Sequence, residues 1–446
     1  MHQSKKILAA LIAGTLASGS AFATNGYAPH GIGMKSKGMG GTFIAHQGDA
    51  VATGGNPAGS AWMDDRVDVG VDVFRPIREA EITGSGAPGV DGTYDGSGLK
   101  IFPIPEFGYR RGLNNNLAFA FSLFGNGGMN TDYKKGIPLF GERSGIDLAQ
   151  LFLVPSLSYR VNNNSFGIGL NLVAQRFKAN GLQNFTGKNS IPNPNFDPTN
   201  PATGGPVLDP QFSESPDKVT NNDSEWSYGA GVRVGWMGKI NNMVTLGATY
   251  QSRTYMSEFD DYAGLFAEQG DFDVPANYGV GISVQATPAL LLTADIMRIQ
   301  YSDIDSIAND LHPFNCDKVG GSDPTGCLGG NNGSGFGWDD MTIYKIGGEY
   351  QVNSNLVLRA GYNHGDQPIP ASQTFFNILA PATVEDHLTL GGTWTFSSGM
   401  ELTATYMHAF ENTVDGRNSI PAPFGGGEAN IKMYQDSIGL AASWKL

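Results

Sequence analysis

The stretch Trp226 to Trp236 limits what this chain can fold into more than any other. Trp226, Tyr228, Ala230, Val232, Val234 and Trp236 share one parity, and Ser227, Gly229, Gly231, Arg233 and Gly235 share the other. A period of two belongs to a strand whose faces meet different surroundings. Ten steps at about 3.3 Å, tilted near 45°, separate the two tryptophans by roughly 23 Å along a barrel axis. That span is close to the height of an outer-membrane apolar band, so both read as aromatic girdle residues. The alternation returns in Val244 to Tyr250, in Leu388, Leu390, Gly392, Trp394 and Phe396, and in Ile438, Leu440, Ala442, Trp444 and Leu446. A soluble β-sandwich would turn its apolar face inward, yet the second face here is too rich in Gly, Thr, Ser and Gln for an ordinary solvated exterior. A polar-lined barrel in lipid explains both faces.

The connections alternate in length. Short ones fall at Gly112 to Asn116, Asn162 to Asn164, Lys239 to Asn242, Thr287 to Pro288, Asn353 to Asn355 and Ser397 to Gly399. Long polar ones fall near 84–96, 134–145, 181–223, 259–274, 304–338, 367–382 and 412–430. Together they join fourteen antiparallel strands, with the short turns at the periplasmic rim, the long loops outside and both termini in the periplasm.

Residues 31 to 62, GIGMKSKGMGGTFIAHQGDAVATGGNPAGSAW, break the pattern. Glycines and small residues neither alternate nor hold a helical stripe, so alone the segment buries too little surface to offset its ordering entropy. It is read as a plug inside the barrel. The expected fold is therefore all-β: a 14-stranded antiparallel transmembrane β-barrel, residues 65–446, with a small amino-terminal hatch, residues 24–64, in its lumen.

Residues 1–23 carry Lys5 and Lys6, the apolar run Ile7 to Leu16, and Ala21-Phe22-Ala23, the order of a secretory signal peptide with its cleavage site. Export to the outer membrane of a Gram-negative cell follows. The formal charge of −14 becomes still more negative without that leader, which argues against nucleic acid as a partner. Only 16% of residues are charged, and no apolar run reaches the ~18 residues a membrane helix needs. Cys316 and Cys327, in a Gly/Asp/Asn-rich stretch, are read as a disulfide stapling one loop. A metal site would need further ligands, with His312 and Asp317 near but at no familiar spacing, so no metal or other cofactor is expected. The chain has no G-x-S-x-G elbow, H-E-x-x-H or P-loop, and its histidines are scattered, so no enzyme is expected. A general porin would leave an aqueous lumen open rather than spend some forty residues on a plug.

In the amino-terminal segment with Asn56-Pro57-Ala58, in Tyr159-Arg160-Val161-Asn162-Asn163-Asn164-Ser165-Phe166-Gly167, and in the inferred strands, the chain resembles the FadL/TodX (OMPP1) family of outer-membrane transporters. The resemblance covers essentially the whole mature chain. It implies passive uptake of long-chain fatty acids or similar hydrophobic molecules by a monomer among outer-membrane lipid and lipopolysaccharide. In that family a hatch blocks the lumen, and ligand meets a groove among outer loops, then a deeper apolar pocket. It leaves sideways through the barrel wall. An alkane or aromatic hydrocarbon is the alternative cargo. The hatch triad also has a local reading as a turn, in which Asn caps and Pro fixes φ.

Independently of the family, the sequence marks where a wall could open. Pro103 and Pro105 remove two N–H groups from one edge of the second strand. Gly125-Asn126-Gly127-Gly128 interrupts the third strand where a bulge belongs. The alternative is a pair of rim prolines beside a flexible strand end. Among the outer loops, Phe259 to Phe266 is the most apolar, and a short helix there would gather Tyr262, Leu265 and Phe266 into a greasy landing site. Arg176 matches the position of a pocket arginine in the family, yet it shares parity with Phe166, Ile168, Leu170 and Leu172. It should therefore face outward, where a lipopolysaccharide phosphate is its expected partner. Lys345 lies on the polar face. The turn at Asn353 to Asn355 sets Glu349 opposite Arg359 as a pair, and leaves Lys345 facing Asn363 as the lumen cation for a carboxylate.

Overall fold

The computed structural model describes residues 24–186, 190–191, 207–208, 212–312, 316–317, 322–323 and 325–446. The leader, residues 1–23, and much of the 181–223 connection lie outside the described residues. Fourteen long strands form the wall. The first seven are β1 Arg66–Thr83, β2 Phe102–Gly112, β3 Leu117–Asn130, β4 Gly145–Val161, β5 Asn164–Asn180, β6 Glu225–Lys239 and β7 Val244–Gln251. The second seven are β8 Asn277–Thr287, β9 Leu290–Ile299, β10 Met341–Gln351, β11 Leu356–Gly365, β12 Asp386–Thr395, β13 Glu401–Val414 and β14 Glu428–Lys445. Each pairs antiparallel with its neighbours, and β1 closes the barrel on β14 from Arg66↔Lys445 to Thr83↔Glu428.

Closure leaves two faces with opposite chemistry, as the alternation requires. Outward side chains such as Ile168, Val232, Ile346, Leu390 and Ile438 are exposed, while Asn171, Gln175, Arg233, Thr249, Lys345 and Thr389 are buried inside. Glu349 does meet Arg359 across β10 and β11, with Nη2 2.7 Å from Oε2, and Lys345 does face Asn363.

The amino-terminal segment lies among these inward side chains as short 3₁₀ and α turns. What lets it in is a belt of inward glycines. A Cβ on Gly361 would stand 2.1 Å from Gly40 N, one on Gly247 2.3 Å from Ile44 O, and one on Gly167 2.4 Å from Ala58 N. Gly108, Gly347 and Gly391 meet the same segment in the same way. At these positions wall and segment touch backbone to backbone, and only a residue without a Cβ permits the approach.

Candidate functional site

The pairing of the wall fails over several residues between β2 and β3. β2 pairs with β1 without a register shift from Phe102 to Arg110, but it pairs with β3 only from Phe107↔Leu123 to Gly112↔Ala118. An antiparallel ladder to β1 through Pro103 and Pro105 would fail if their nitrogens faced β1, so the missing donors lie on the β3 edge. On β3 the ladder to β4 slips between Gly125 and Gly127, leaving Asn126 as the extra residue. Above the break the wall resumes, with Gly98 N donating to Asp132 O at 3.0 Å and Asp132 N to Gly96 O at 2.9 Å. The unpaired stretch Phe102 to Glu106 is roughly 16 Å long. Phe102 and Ile104 border it on one side, Phe124 and Met129 on the other, and all four are buried.

A run of aromatic rings leads down to this break. Phe424 packs against Phe185 at 5.2 Å between centroids, Phe185 against Phe376 at 5.9 Å, and Phe376 against Phe336 at 5.2 Å. The run continues through Trp338 at 6.3 Å, Tyr301 at 5.2 Å and Tyr27 at 5.3 Å. A second branch passes from Phe177 through Phe266 and Phe272 to the same Tyr27. Tyr27 ends both. Its carbonyl accepts the Gly128 N–H at 3.1 Å, and a Cβ on Gly127 would lie 2.7 Å from its ring.

Tyr262, Leu265 and Phe266 belong to this column and not to an exposed landing surface. They are 0%, 4% and 3% exposed. Tyr262 and Phe266 pack on Phe177 at 4.8 and 4.6 Å. They do not share one helix either, since Tyr262 ends a 3₁₀ turn and Phe266 precedes the next. The sequence expectation failed because a loop long enough to fold over the barrel mouth buries its own apolar residues there.

Just beyond them Asp271 is half-buried beside Asp273 and Arg253, with Arg253 Nη2 3.1 Å from Asp271 Oδ2. Burial first, and then the Asp273 charge, push Asp271 up to about 7. A carboxyl raised in the folded state binds its proton more tightly there, so its contribution is complete below the ordinary 3.8 and fades as pH rises through about 7. Protection of the amides in residues 259–274, with the intrinsic pH dependence of exchange divided out, is expected to rise on acidification from about pH 8 to about pH 5, a window that brackets that value. Asp271→Asn should flatten the dependence, and an unchanged slope in that variant would remove Asp271 as the cause.

The amino-terminal segment is fastened by charge as well as shape. Lys37 Nζ sits 2.8 Å from Asp72 and 3.6 Å from Glu106, whose Oε1 accepts the Met34 N–H at 3.0 Å. Burial lowers the Lys37 ammonium, and Asp72 with Glu106 outweigh it, so its pKa ends above the ordinary lysine value. Lys35 pairs with Glu401 at 2.6 Å, and Asp295 accepts from the Phe43 and Ile44 N–H groups at 2.8 and 3.1 Å.

Asn56, Pro57 and Ala58 form a capped turn within this segment. Asn56 Oδ1 accepts the Ala58 N–H at 3.1 Å, with Pro57 opening the 3₁₀ turn, while Nδ2 donates to Ile44 O at 2.8 Å and Trp236 O at 3.3 Å. Asn56→Ala should loosen the segment by about 1 to 2 kcal/mol. Amide exchange across residues 44–62 is expected to quicken about tenfold, with the barrel still heat-modifiable on gels. Unchanged exchange would show the cap to be dispensable.

Two cations take other places than expected. Lys345 is no free lumen cation, because its ammonium donates to His30 O at 2.8 Å and Gly41 O at 3.3 Å and lies 5.3 Å from the Phe43 ring centroid. Arg176 keeps its outward parity, and it pairs with Asp147 at 2.6 Å. The turn at residues 162–163 sets Ala149 opposite Arg176 and Asp147 diagonal to it, which is the signal that could have found the pair. Cys316 and Cys327 are joined in a disulfide, so a metal would lack both thiolates. Tyr27, Tyr301, Trp338 and Glu106 were not singled out beforehand, since nothing local distinguishes them from ordinary packing or wall residues.

Comparison with known proteins accords with this geometry. The family described as outer membrane protein transport protein (OMPP1/FadL/TodX) matches residues 10–444. The Pseudomonas putida toluene transporter TodX superposes with a TM-score of 0.65 at 18% identity, covering 94% of this chain and 99% of that one. A Pseudomonas aeruginosa FadL homologue gives 0.68 at 17%, covering 94% and 99%. The Ralstonia pickettii toluene transporter TbuX gives 0.57 at 18%, covering 94% and 99%. At these identities the likeness carries the fold. Comparison with curated proteins finds no match. The chain belongs to the OMPP1/FadL/TodX family of outer-membrane β-barrels that transport hydrophobic compounds.

Proposed function

We propose that this barrel takes up an uncharged hydrophobic molecule passively, with residues 24–64 as the hatch and the gap between β2 and β3 as a sideways exit. The observation that carries the reading is the convergence of two buried aromatic runs on Tyr27, beside the unpaired edge. Each CH₂ moved from water into such surroundings gains about 0.8 kcal/mol, so an apolar cargo follows the column and then leaves into lipid. A fatty acid would need a cation for its carboxylate. Four cations in the body of the lumen have other partners: Lys345 holds hatch carbonyls, Arg359 holds Glu349, Arg233 donates to Gly55 O at 2.9 Å, and Arg78 donates to the Gly96 and Leu99 carbonyls at 3.0 and 2.5 Å. That favours a hydrocarbon, and two of the similar structures are named as toluene transporters.

The test is uptake by cells expressing the protein, after the proton gradient is collapsed, with radiolabelled toluene, hexadecane and palmitate. Toluene or hexadecane should enter several times faster than in cells with an empty vector, while palmitate stays at the vector rate. Faster entry of palmitate than of either hydrocarbon would overturn the uncharged cargo.

A further inference from the structure

The periplasmic mouth holds a cavity of about 430 Å³, between the amino-terminal segment and the turns at 162–163 and 240–243. It lies across the hatch from the aromatic column. None of its lining residues carries a carboxylate. Its centre is Trp62, whose indole N–H is held by Ser165 Oγ at 2.7 Å. Two cations lie against that one ring, Lys239 Nζ 4.2 Å and the Arg160 guanidinium carbon 5.1 Å from its centroid.

These cations differ from the others at the same end of the barrel. Arg66 pairs with Asp68 and Glu401, Arg110 and Arg111 with Asp65, and Lys445 with Asp64. Among the described residues neither Lys239 nor Arg160 has an ion-pair partner. Two uncompensated cations held on one indole, in a chain of net charge −14, form a site for an anion. His46 Nε2 is buried there without a hydrogen-bond partner. The carboxylate that acts on His46, Glu349, is already committed to Arg359. Met63, Met237, Met243 and Leu291 are the large aliphatic side chains of a lining that otherwise carries amides and hydroxyls such as Asn163, Ser283 and Gln285. Flexible thioethers suit a chain of variable shape, and the volume falls within the range of small-molecule sites.

We propose that this cavity binds an amphiphilic carboxylate from the periplasmic side, its head on Lys239, with Arg160 on the same indole adding positive charge, and its tail on the methionines. Because its walls come from both hatch and barrel, an occupant bridges the two and stabilises the seated hatch. The inference is independent of which cargo the upper column carries.

The chain has no free cysteine among the described residues, so Asn242→Cys gives a single labelling point at this mouth for an environment-sensitive dye. In detergent-free nanodiscs, octanoate should shift the dye emission with a saturable midpoint. Lys239→Gln should raise that midpoint tenfold or more, Arg160→Gln should raise it less, and Lys239→Arg should keep it. Heat-modifiability on gels checks that each variant is a closed barrel. An equal response to octanol would overturn the anionic head, and an equal response to inorganic phosphate would overturn the apolar tail. An unchanged midpoint in a folded Lys239→Gln barrel would overturn the site itself.

Discussion

Gly361→Leu should convert a quiet barrel into one that conducts ions. The glycine faces the lumen on β11, and a Cβ there would stand 2.1 Å from Gly40 N and 2.2 Å from Met39 C. Neither contact is the far end of a flexible side chain, so the segment cannot yield by a rotamer change and must move as backbone. Overpacking a close contact costs about 1 to 3 kcal/mol, and more where backbone opposes backbone. Combined with Gly167→Leu, which strikes the Pro57–Ala58 peptide from the other wall, the clash matches or exceeds the ties that hold the segment. The wall itself is untouched, since inward side chains do not enter the ladder. In planar bilayers the double variant is therefore expected to give steady openings, and entry of large antibiotics excluded by the parent should rise by an order of magnitude. Gly348→Leu is the control, because that glycine faces outward. A silent double variant with a normal barrel would mean that the segment does not occlude the lumen.

Sealing the wall should have the opposite outcome. Replacing Pro103 and Pro105 with Val restores two N–H donors on the β3 edge, and deleting Asn126 removes the extra residue that takes β3 out of register. Each regained ladder bond adds about 0.5 to 1.5 kcal/mol, so the sealed barrel should melt at a higher temperature. Uptake of the hydrocarbon should fall tenfold or more if its exit is sideways. The two readouts move in opposite directions, which separates sealing from damage. Undiminished uptake through a measurably stabilised barrel would eliminate the sideways route.

Much of the wall was legible because lipid and lumen impose opposite demands on alternate residues. The Glu349–Arg359 pair could even be counted from a three-residue turn. The break was legible for a related reason, since a proline's missing donor is a property of the residue itself. The fastenings of the amino-terminal segment were not. Lys345 looked free because its partners are the carbonyls of His30 and Gly41, and every residue type carries a carbonyl. Asp295 reaches back to Phe43 and Ile44, some 250 positions earlier, a separation at which no spacing rule operates. Tyr262 and Phe266 were correctly seen as apolar but assigned to the surface, because period and composition do not tell which way a long loop folds.

Glu106 stands on β2 just below the two prolines, and its carboxylate grips the first turn of Met34–Lys37. The strand that edges the break is thereby leashed to the amino-terminal segment packed inside the wall. If that segment is the hatch and the break the exit, as proposed, neither door can swing without tugging its twin, and a cell opening this barrel for a greasy passenger need not leave a standing leak.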